Sequence, residues 1–399
     1  MIESIFIATS GMLGHERGLT VISNNVSNMN TAGFRGSTVS FSDVFIGAST
    51  SGLRDPFAGQ QALGGGVNAG RTQIDFRLGD RQATSRDLDM LLTSQGFFIV
   101  EDESGELRYT RDGSFEFNAD EELVLVGQRT KVMTRNASGE LVPITTRDLM
   151  RNPSKTTTTV NFEGTLSSQD SRGTFALETL DVFDSQGVEH TLKATFTRQT
   201  EGPTNGATAR WNVVFSESGL DVGTATIEFI LNDVMPGTSP QQVTLLLRGG
   251  EAMDVSFNFD EIDGGPLGNN SALTATQDGF APGRVSSRRF DANGVLKITY
   301  SNGQTADGAK LALAQIEDLG GLVQMSDTLF AYQGGREVIV REAGDDLQVI
   351  SGALERSNVS LTRQFSELIL MQRGYQASSQ VLSTANDLVQ SLLDLRGRT

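Results

Sequence analysis

The 399-residue sequence predicts a mainly β protein with α-helical termini, in which nested β domains lie between an N-terminal and a C-terminal helix. Three observations predict this class. Apolar residues recur every seven positions near both ends, the spacing of a coiled-coil helix. Short runs of alternating apolar and polar residues fill the interior, as in half-buried strands. Glycine is abundant, with 44 residues against 8 prolines, so turns between these runs are easily made.

The first helix is predicted within residues 2–29 and ascribed to a terminal helical domain of residues 1–30 plus 357–399. Its predicted assembly seam consists of Ile5, Met12, Leu19, Ile22 and Val26. His15 interrupts this seam and is interpreted as a packed polar residue rather than a catalytic base. The stretch "NNVSNMNTAGF" places poor helix formers before Gly33, so we expect the helix to end near there.

The interior is predicted to contain three further parts. Residues 31–70 plus 341–356 have weak periodicity and are interpreted as an extended connecting segment without its own core. Residues 71–144 plus 281–340 alternate short strands with turns such as Asp112-Gly113, which predicts a middle β domain. Residues 145–280 show period-two runs such as "HTLKATFT", which predict a second β domain inserted into the first.

The last helix is predicted within residues 357–399, with Ser357 and Asn358 as N-cap residues. Its predicted assembly positions are Leu361, Phe365, Leu368, Met371, Tyr375, Leu382 and Leu392. Because both chain ends enter the same domain, we expect the two helices to lie side by side.

Two such helices are predicted to be marginal alone. Gly11, Gly14 and Gly18 each weaken the first helix by about 1 kcal/mol relative to alanine. Packing against neighbouring copies would supply the missing stability. A helical hairpin that belongs to an ordinary globular core is the alternative that the pattern leaves open.

The composition limits the partners and the kinds of site that this chain can have. The net charge of −17 disfavours nucleic acid and anionic membranes as partners, and no run approaches the ~20 apolar residues that span a bilayer. The absence of cysteine excludes disulfides, cysteine-ligated zinc and thiol nucleophiles, and His15 and His190 are too few for a multi-histidine metal cluster. No other motif indicates a site, and we expect no catalytic residue, metal or cofactor. The stretches "DANG" and "DGSFEFNADEE" superficially resemble calcium loops but lack their spacing, and are interpreted as hairpin turns.

The N-terminus lacks a basic region and carries Glu3, so it is a poor Sec signal. A secreted carbohydrate-active or adhesive β protein remains the alternative of a different class.

Long motifs stand at both ends of the chain: "SGMLGHERGLTVISNNVSNMNTAGFRG" near the N-terminus and "LERSNVSLTRQFSELILMQRGYQASSQVLSTANDLVQSLLDL" near the C-terminus. Both resemble the bacterial flagellar rod–hook axial protein family. Interior segments such as "YTRDGSFEFNADEELV" and "DGFAPGRVSSRRFDANGVLKITYSNGQ" resemble the same family. The similarity covers nearly the whole chain with its motifs in order.

Within that family, the length and the inserted block of residues 145–280 favour a hook-type member, with a distal rod or related axial protein as the alternative. The resemblance implies a structural subunit that self-assembles into the curved tube between rod and filament, with the terminal helices forming a coiled-coil inner wall. Implied partners are further copies of the chain, a rod protein at the proximal end, a hook cap during assembly, a hook–filament junction protein distally and the flagellar export apparatus. The implied location is extracellular, after type III export without a Sec signal.

Overall fold

The computed structural model describes residues 2–46, 63–167, 173–199, 207–248, 250, 252–264, 270–326, 328–344 and 347–396. One helix stands near each end, α1 (Ile2–Ser27) and α2 (Leu361–Arg396), and the described residues between them are mainly strands. The predicted class, mainly β with helical termini, is confirmed.

The described strands follow one another in short steps along the chain. In chain order they are β1 (Ser37–Ile46), β2 (Leu63–Ile74), β3 (Arg81–Ala83), β4 (Met90–Leu92), β5 (Phe97–Glu101), β6 (Leu107–Thr110), β7 (Phe115–Phe117), β8 (Leu123–Leu125), β9 (Lys131–Arg135), β10 (Leu141–Pro143), β11 (Arg151–Asn152), β12 (Thr159–Thr165), β13 (Thr174–Phe183), β14 (Glu189–Arg198), β15 (Ala209–Glu217), β16 (Leu220–Ile230), β17 (Asp233–Val234), β18 (Gln241–Leu246), β19 (Ala252–Asp263), β20 (Ala272–Gln277), β21 (Gly283–Phe290), β22 (Val295–Tyr300), β23 (Thr305–Lys310), β24 (Ala312–Gln315), β25 (Leu322–Ser326), β26 (Leu329–Tyr332), β27 (Ile339–Glu342), β28 (Val349–Ser351) and β29 (Ala353–Glu355).

The chain divides into two compact units. The terminal unit comprises residues 1–147, 288–297 and 307–399, and the inserted unit comprises residues 148–287 and 298–306. The second unit therefore interrupts the first in sequence. The finer four-part division predicted above stays a prediction.

The terminal unit contains an antiparallel ten-stranded sheet. Its main path runs β25-β26-β6-β5-β9-β8-β7, with β10 on β9 and with β24 and β27 joined through β5. One core cluster includes Phe97, Ile99 and Phe330, and the rings of Phe97 and Phe330 meet edge to face at 6.2 Å. Two separate two-stranded sheets, β3–β29 and β4–β28, pair the segment before α2 with early strands of the terminal unit.

The inserted unit is built from two sheets around a shared core. Strands β13 to β17 form an antiparallel meander, and the second sheet has the order β18-β19-β12-β20, with β12 and β19 parallel. Along β15 every second residue from Trp211 onward is buried, as the period-two alternation predicted. The rings of Phe215 and Phe257, one from each sheet, stack with centroids 4.2 Å apart.

The longer stretch of the inserted unit, residues 148–287, has a short strand pair near its two ends. In β11 and β21, Arg151 lies opposite Arg284 and Asn152 lies opposite Gly283, in antiparallel register. An isolated bridge between Lys155 and Phe280 extends this pairing inward. Strands β22 and β23 complete the four-stranded sheet to which the pair belongs.

Five hairpin loops share one hydrogen-bond pattern. In each, the Oδ1 of the first residue accepts the backbone N–H groups two and four positions later. These loops begin at Asp102, Asn118, Asn136, Asp184 and Asp291. The fourth residue has a left-handed backbone and is glycine in every case except Glu121. Both stretches that superficially resembled calcium loops contain one of these hairpin loops.

Two local expectations were incomplete or wrong. Part of the segment predicted to be a bare connector forms an antiparallel ribbon, β1–β2, while residues 47–62 lie outside the described part. Ser357 and Asn358 do not cap α2, because the helix begins at Leu361 and its first carbonyl acceptor is Ser360, which takes the Gln364 N–H. Asn358 instead bonds to two other chain segments, as described below.

Candidate assembly surface

The two terminal helices pack against each other in antiparallel directions. The facing pairs are Gly11 with Ser378, His15 with Gly374, Gly18 with Met371 and Asn25 with Gln364. As the residue number rises along α1, that of its partner on α2 falls by the same step. The helices thus keep one register over more than three turns.

Glycines make this close approach of the helices feasible. A Cβ added at Gly18 would lie 2.8 Å from the Sδ of Met371, and one at Gly374 would lie 2.3 Å from the imidazole of His15. The same imidazole places its Nδ1 3.5 Å from the Sδ of Met371. These glycines lower helix propensity, but they let the backbones approach where larger residues would clash.

The β1–β2 ribbon covers a further side of α1. The Phe41 ring lies against Gly14, where an added Cβ would come within 3.1 Å of it, and its centroid is 5.9 Å from that of His15. The backbone N–H of Val67 donates to the Ser10 hydroxyl oxygen at 3.1 Å. Helix α1 is therefore packed between the ribbon and α2.

One buried carboxylate ties the ends of the helices to the sheet. Glu355, at the end of β29, pairs with Arg35 at 2.7 Å and with Arg111 at 3.5 Å, and accepts the Gly79 N–H at 2.7 Å. All three charged side chains are at most 2% exposed. Burial, opposed by Glu355 and reinforced by Arg35, lowers the pKa of Arg111 to about 10. Among the described residues, the two buried arginines thus pair with the same carboxylate.

Two asparagine side chains join the same chain segments through hydrogen bonds. Asn358 accepts the Gly36 N–H at 2.8 Å and donates to the carbonyls of Asp75 and Arg77 at 2.7 and 2.9 Å. Asn25 accepts the Ser37 N–H at 2.9 Å and donates to Gln364 at 2.9 Å. The junction between helices and sheet is therefore densely hydrogen-bonded.

The positions predicted for assembly divide into two groups. On α1, Ile22 is buried, and Ile5, Met12, Leu19 and Val26 are partly buried. On α2, Leu368, Met371 and Leu382 are partly buried, whereas Leu361, Phe365 and Tyr375 are exposed by 38%, 51% and 37%. Leu392 lies within α2, but its side chain falls outside the described residues. The helical pair thus covers most of the described seam and leaves three predicted positions open.

Other apolar side chains on the helices are exposed and were not predicted. They are Phe6, Ile7 and Leu13 on α1, and Ile369, Leu370, Val381, Leu388 and Leu393 on α2. A single heptad register selects one seam and overlooks residues on the other faces. Spacings of four from Leu361 to Ile369, and of eleven and seven from Leu370 to Leu388, could have identified two further stripes.

The described residues contain neither a metal-ligating cluster nor a helix suited to span a membrane. Among them there is no group of three histidine, cysteine, aspartate or glutamate side chains placed to hold a metal ion. No described helix combines the length and the apolar character that a bilayer span requires. The most specific feature of the terminal unit is the exposed apolar surface of its helices.

Four family models match separate parts of the chain between residues 6 and 395. By description and residues matched, they are Flagella basal body rod protein (6–35), Flagellar hook protein FlgE/F/G D1 domain (91–167), Flagellar basal body protein FlaE D2 domain (152–328) and Flagellar basal body rod FlgEFG protein C-terminal (350–395).

Flagellar hook proteins of several bacteria align with nearly the whole of this chain. The flagellar hook protein FlgE of Escherichia coli K12 is 30% identical over 418 residues, which cover 98% of this chain and 99% of the relative. The flagellar hook protein FlgE of Borreliella burgdorferi is 28% identical over 451 residues, covering 99% and 100%. The crystal structure of Helicobacter pylori flagellar hook protein FlgE2 superposes with a TM-score of 0.50 at 12% identity, covering 67% of this chain and 98% of that one, which supports the fold alone.

Proposed function

Because the chain belongs to the flagellar hook protein family, it is a structural subunit of the bacterial flagellar hook, and we propose that the exposed apolar faces of α1 and α2 join neighbouring copies. A distal rod or other axial role is not favoured, since these relatives are hook proteins. The observation that carries the proposal is the set of large apolar side chains left uncovered on two helices that already pack together.

The energetics favour burial of these side chains. Leu370 is 67% exposed, Leu388 53% and Phe6 58%. Fully burying one leucine or phenylalanine side chain contributes about 1.5–3 kcal/mol. An apolar surface of this kind on a soluble protein indicates an interaction site.

The stripes on α2 point in different directions. At 100° per residue, Leu361, Phe365 and Ile369 share one face, while Leu370, Val381 and Leu388 share another. One partner helix cannot cover both faces. Contacts on several sides of each subunit let further identical subunits add and form an extended wall. A single self-complementary contact would instead give a closed dimer.

The predicted seam residues have a complementary role in this proposal. Ile22, Met371 and their partly buried neighbours hold the hairpin, while Leu361, Phe365 and Tyr375 extend the intersubunit surface. Together the helices form the coiled-coil inner wall of the tube. The proximal rod, the hook cap, the hook–filament junction protein and the type III export apparatus are the further partners we propose, with an extracellular location after export.

The two units divide the mechanical work in this proposal. Desolvated apolar helix contacts are costly to break and resist twist, whereas smaller outer contacts exchange between packings of similar energy. We therefore assign rigidity to α1 and α2 and compliance to the inserted unit. Hooks built from a chain without residues 145–280 should lose their normal curvature; unchanged curvature and bending stiffness would contradict the assignment.

A charge placed on the exposed stripe tests the assembly surface. Leu370→Asp and Leu388→Asp should abolish tube formation by the full chain, because each copy would bury an unpaired carboxylate. Monomer melting temperature should change little, since both side chains are largely exposed. Electron microscopy and sedimentation measure assembly. Thr384→Asp adds the same charge at an exposed position of α2 that lies outside both stripes, and is the matched control. Normal tubes from both leucine variants would refute the proposal.

A further inference from the structure

Three described residues other than glycine have a left-handed backbone. They are Glu121, Ser218 and Leu231, with φ of 62°, 51° and 62°. This conformation brings the Cβ against the neighbouring carbonyl and is unfavourable for residues other than glycine. Such strain persists where something else compensates for it, often at a functional position.

Two of the three have a local explanation. The Glu121 carboxylate pairs with Arg288 at 2.6 Å and accepts the Thr146 hydroxyl at 3.1 Å, so a glycine there would lose both interactions. Ser218 is short and polar, and precedes Gly219 in the tight turn between β15 and β16. Small polar residues tolerate such turns at low cost.

Leu231 differs from both, because its apolar side chain cannot form a hydrogen bond or ion pair that would compensate for the strain. It is 74% exposed, more than any other large apolar side chain in the described residues. It forms the two-residue turn between β16 and β17 together with Asn232, since Ile230 pairs with Asp233. Asparagine and glycine are the residues such turns prefer, and a branched apolar residue is unfavourable there. Within one copy, an unfavourable backbone thus presents leucine to solvent.

The turn is held firmly in place. The Leu231 N–H donates to the Thr208 hydroxyl oxygen at 2.9 Å, and the Gly264 N–H donates to the Asn232 carbonyl at 2.8 Å. Phe229, two residues earlier in β16, is fully buried in the core of the inserted unit. The leucine is therefore presented on a fixed backbone, with Ile230, 38% exposed, beside it.

We infer that Leu231 is a contact residue through which the inserted unit meets a second copy of this chain. The inference rests on the hook function, in which identical subunits repeat at fixed spacing. Each copy carries a net charge of −17, so outer surfaces of like charge repel and an uncharged apolar contact is favoured over an ionic one. The free energy of burying Leu231 between copies would compensate for the strain that the single copy carries.

The decisive variant is Leu231→Asn, which accepts the left-handed backbone and removes the apolar side chain. The monomer should melt at an equal or higher temperature, while the protein concentration needed for tube formation should rise several-fold. Ser218→Asn relieves strain at the other turn and should leave that concentration unchanged. An unchanged concentration for Leu231→Asn, or a lower melting temperature, would overturn the inference. Failure of the unaltered chain to form tubes would instead reject the hook function.

A second readout identifies what covers the residue. The chain has no cysteine, so Leu231→Cys introduces a unique thiol. Maleimide labelling at this position should be several-fold slower in tubes than in monomers, whereas Ser218→Cys should label equally in both. Equal labelling of Leu231→Cys in the two states would exclude a second copy as the occupant, and would direct attention to a different macromolecule.

Discussion

Gly374 on α2 lies directly against the imidazole of His15 on α1, so that a Cβ at this glycine would come within 2.3 Å of the ring. Alanine normally favours a helix over glycine by about 1 kcal/mol. We nevertheless expect Gly374→Ala to weaken the helical pair, because the ring cannot move without disturbing Met371 and Phe41. Faster proteolysis of both terminal helices would report the loss. Gly335→Ala, where an added Cβ meets nothing within 4 Å, is the control. Stronger protection in Gly374→Ala would show that propensity outweighs the clash.

Glu355→Gln should be strongly destabilising. The substitution removes the only carboxylate that pairs with Arg35 and Arg111 in the described structure. Leaving buried charge uncompensated costs about 3–5 kcal/mol, and urea denaturation should show a decrease of this order in the free energy of unfolding. Glu367→Gln breaks an exposed pair with Arg363 and should change that free energy by less than about 1 kcal/mol. Equal effects of the two substitutions would contradict a special role of the buried cluster.

His190 should make the inserted unit more stable as the solution becomes mildly acidic. Burial alone would lower the pKa of this imidazole, but Glu217 at 2.8 Å and Asp184 at 3.4 Å outweigh it and raise the pKa above 6.5. The stabilisation is fully present below the unfolded value of 6.5 and is lost as the pH rises through the higher folded value.

The melting temperature of the inserted unit, followed between about pH 6 and about pH 8, tests this dependence. His190→Gln should flatten the curve in that window. The pKa values of Asp184 and Glu217 are lowered, because hydrogen bonds and the imidazole outweigh their burial. Their stabilising effect is lost only as the pH falls below the ordinary carboxylate range, so the two effects are separable. Identical slopes for both proteins near neutrality would count against the charged bridge.

Asp291→Ala should destabilise the hairpin between β21 and β22. The aspartate Oδ1 accepts the N–H groups of Asn293 and Val295, each at 2.9 Å, and alanine supplies no acceptor. We expect a decrease of about 1 kcal/mol in the free energy of unfolding. Asp291→Asn keeps the acceptor and should be close to neutral. An equal decrease for both variants would assign the effect to the lost charge near Lys297 instead.

Local patterns predicted the elements of this fold well. The heptad spacing from Ile5 to Val26 and from Leu361 to Leu382 marks the two helices, and the alternation around Trp211 marks a half-buried strand. The turn interpretation of "DANG" also follows from local chemistry, because an aspartate acceptor and a left-handed glycine are all that the loop needs.

Contacts between residues far apart in sequence could not be predicted from these local patterns. Examples are the parallel pairing of β12 with β19 and the two ion pairs that Glu355 forms with arginines. The glycines of α1 illustrate the limit: their propensity predicts a weak helix, and only the partner helix shows why they are tolerated. Exposed leucines such as Leu370 were missed because heptad counting assumes a single partner.

The paired strands β11 and β21 have a consequence for how hooks can diversify. Asn152 and Gly283 lie opposite each other in adjacent strands, so everything between them leaves and returns at nearly the same point. Replacing that stretch by a short turn, or by a larger module with neighbouring ends, would not require the flanking strands to separate. The stretch between Asn152 and Gly283 can therefore change in size from one protein to another while the chain path on either side of it is preserved.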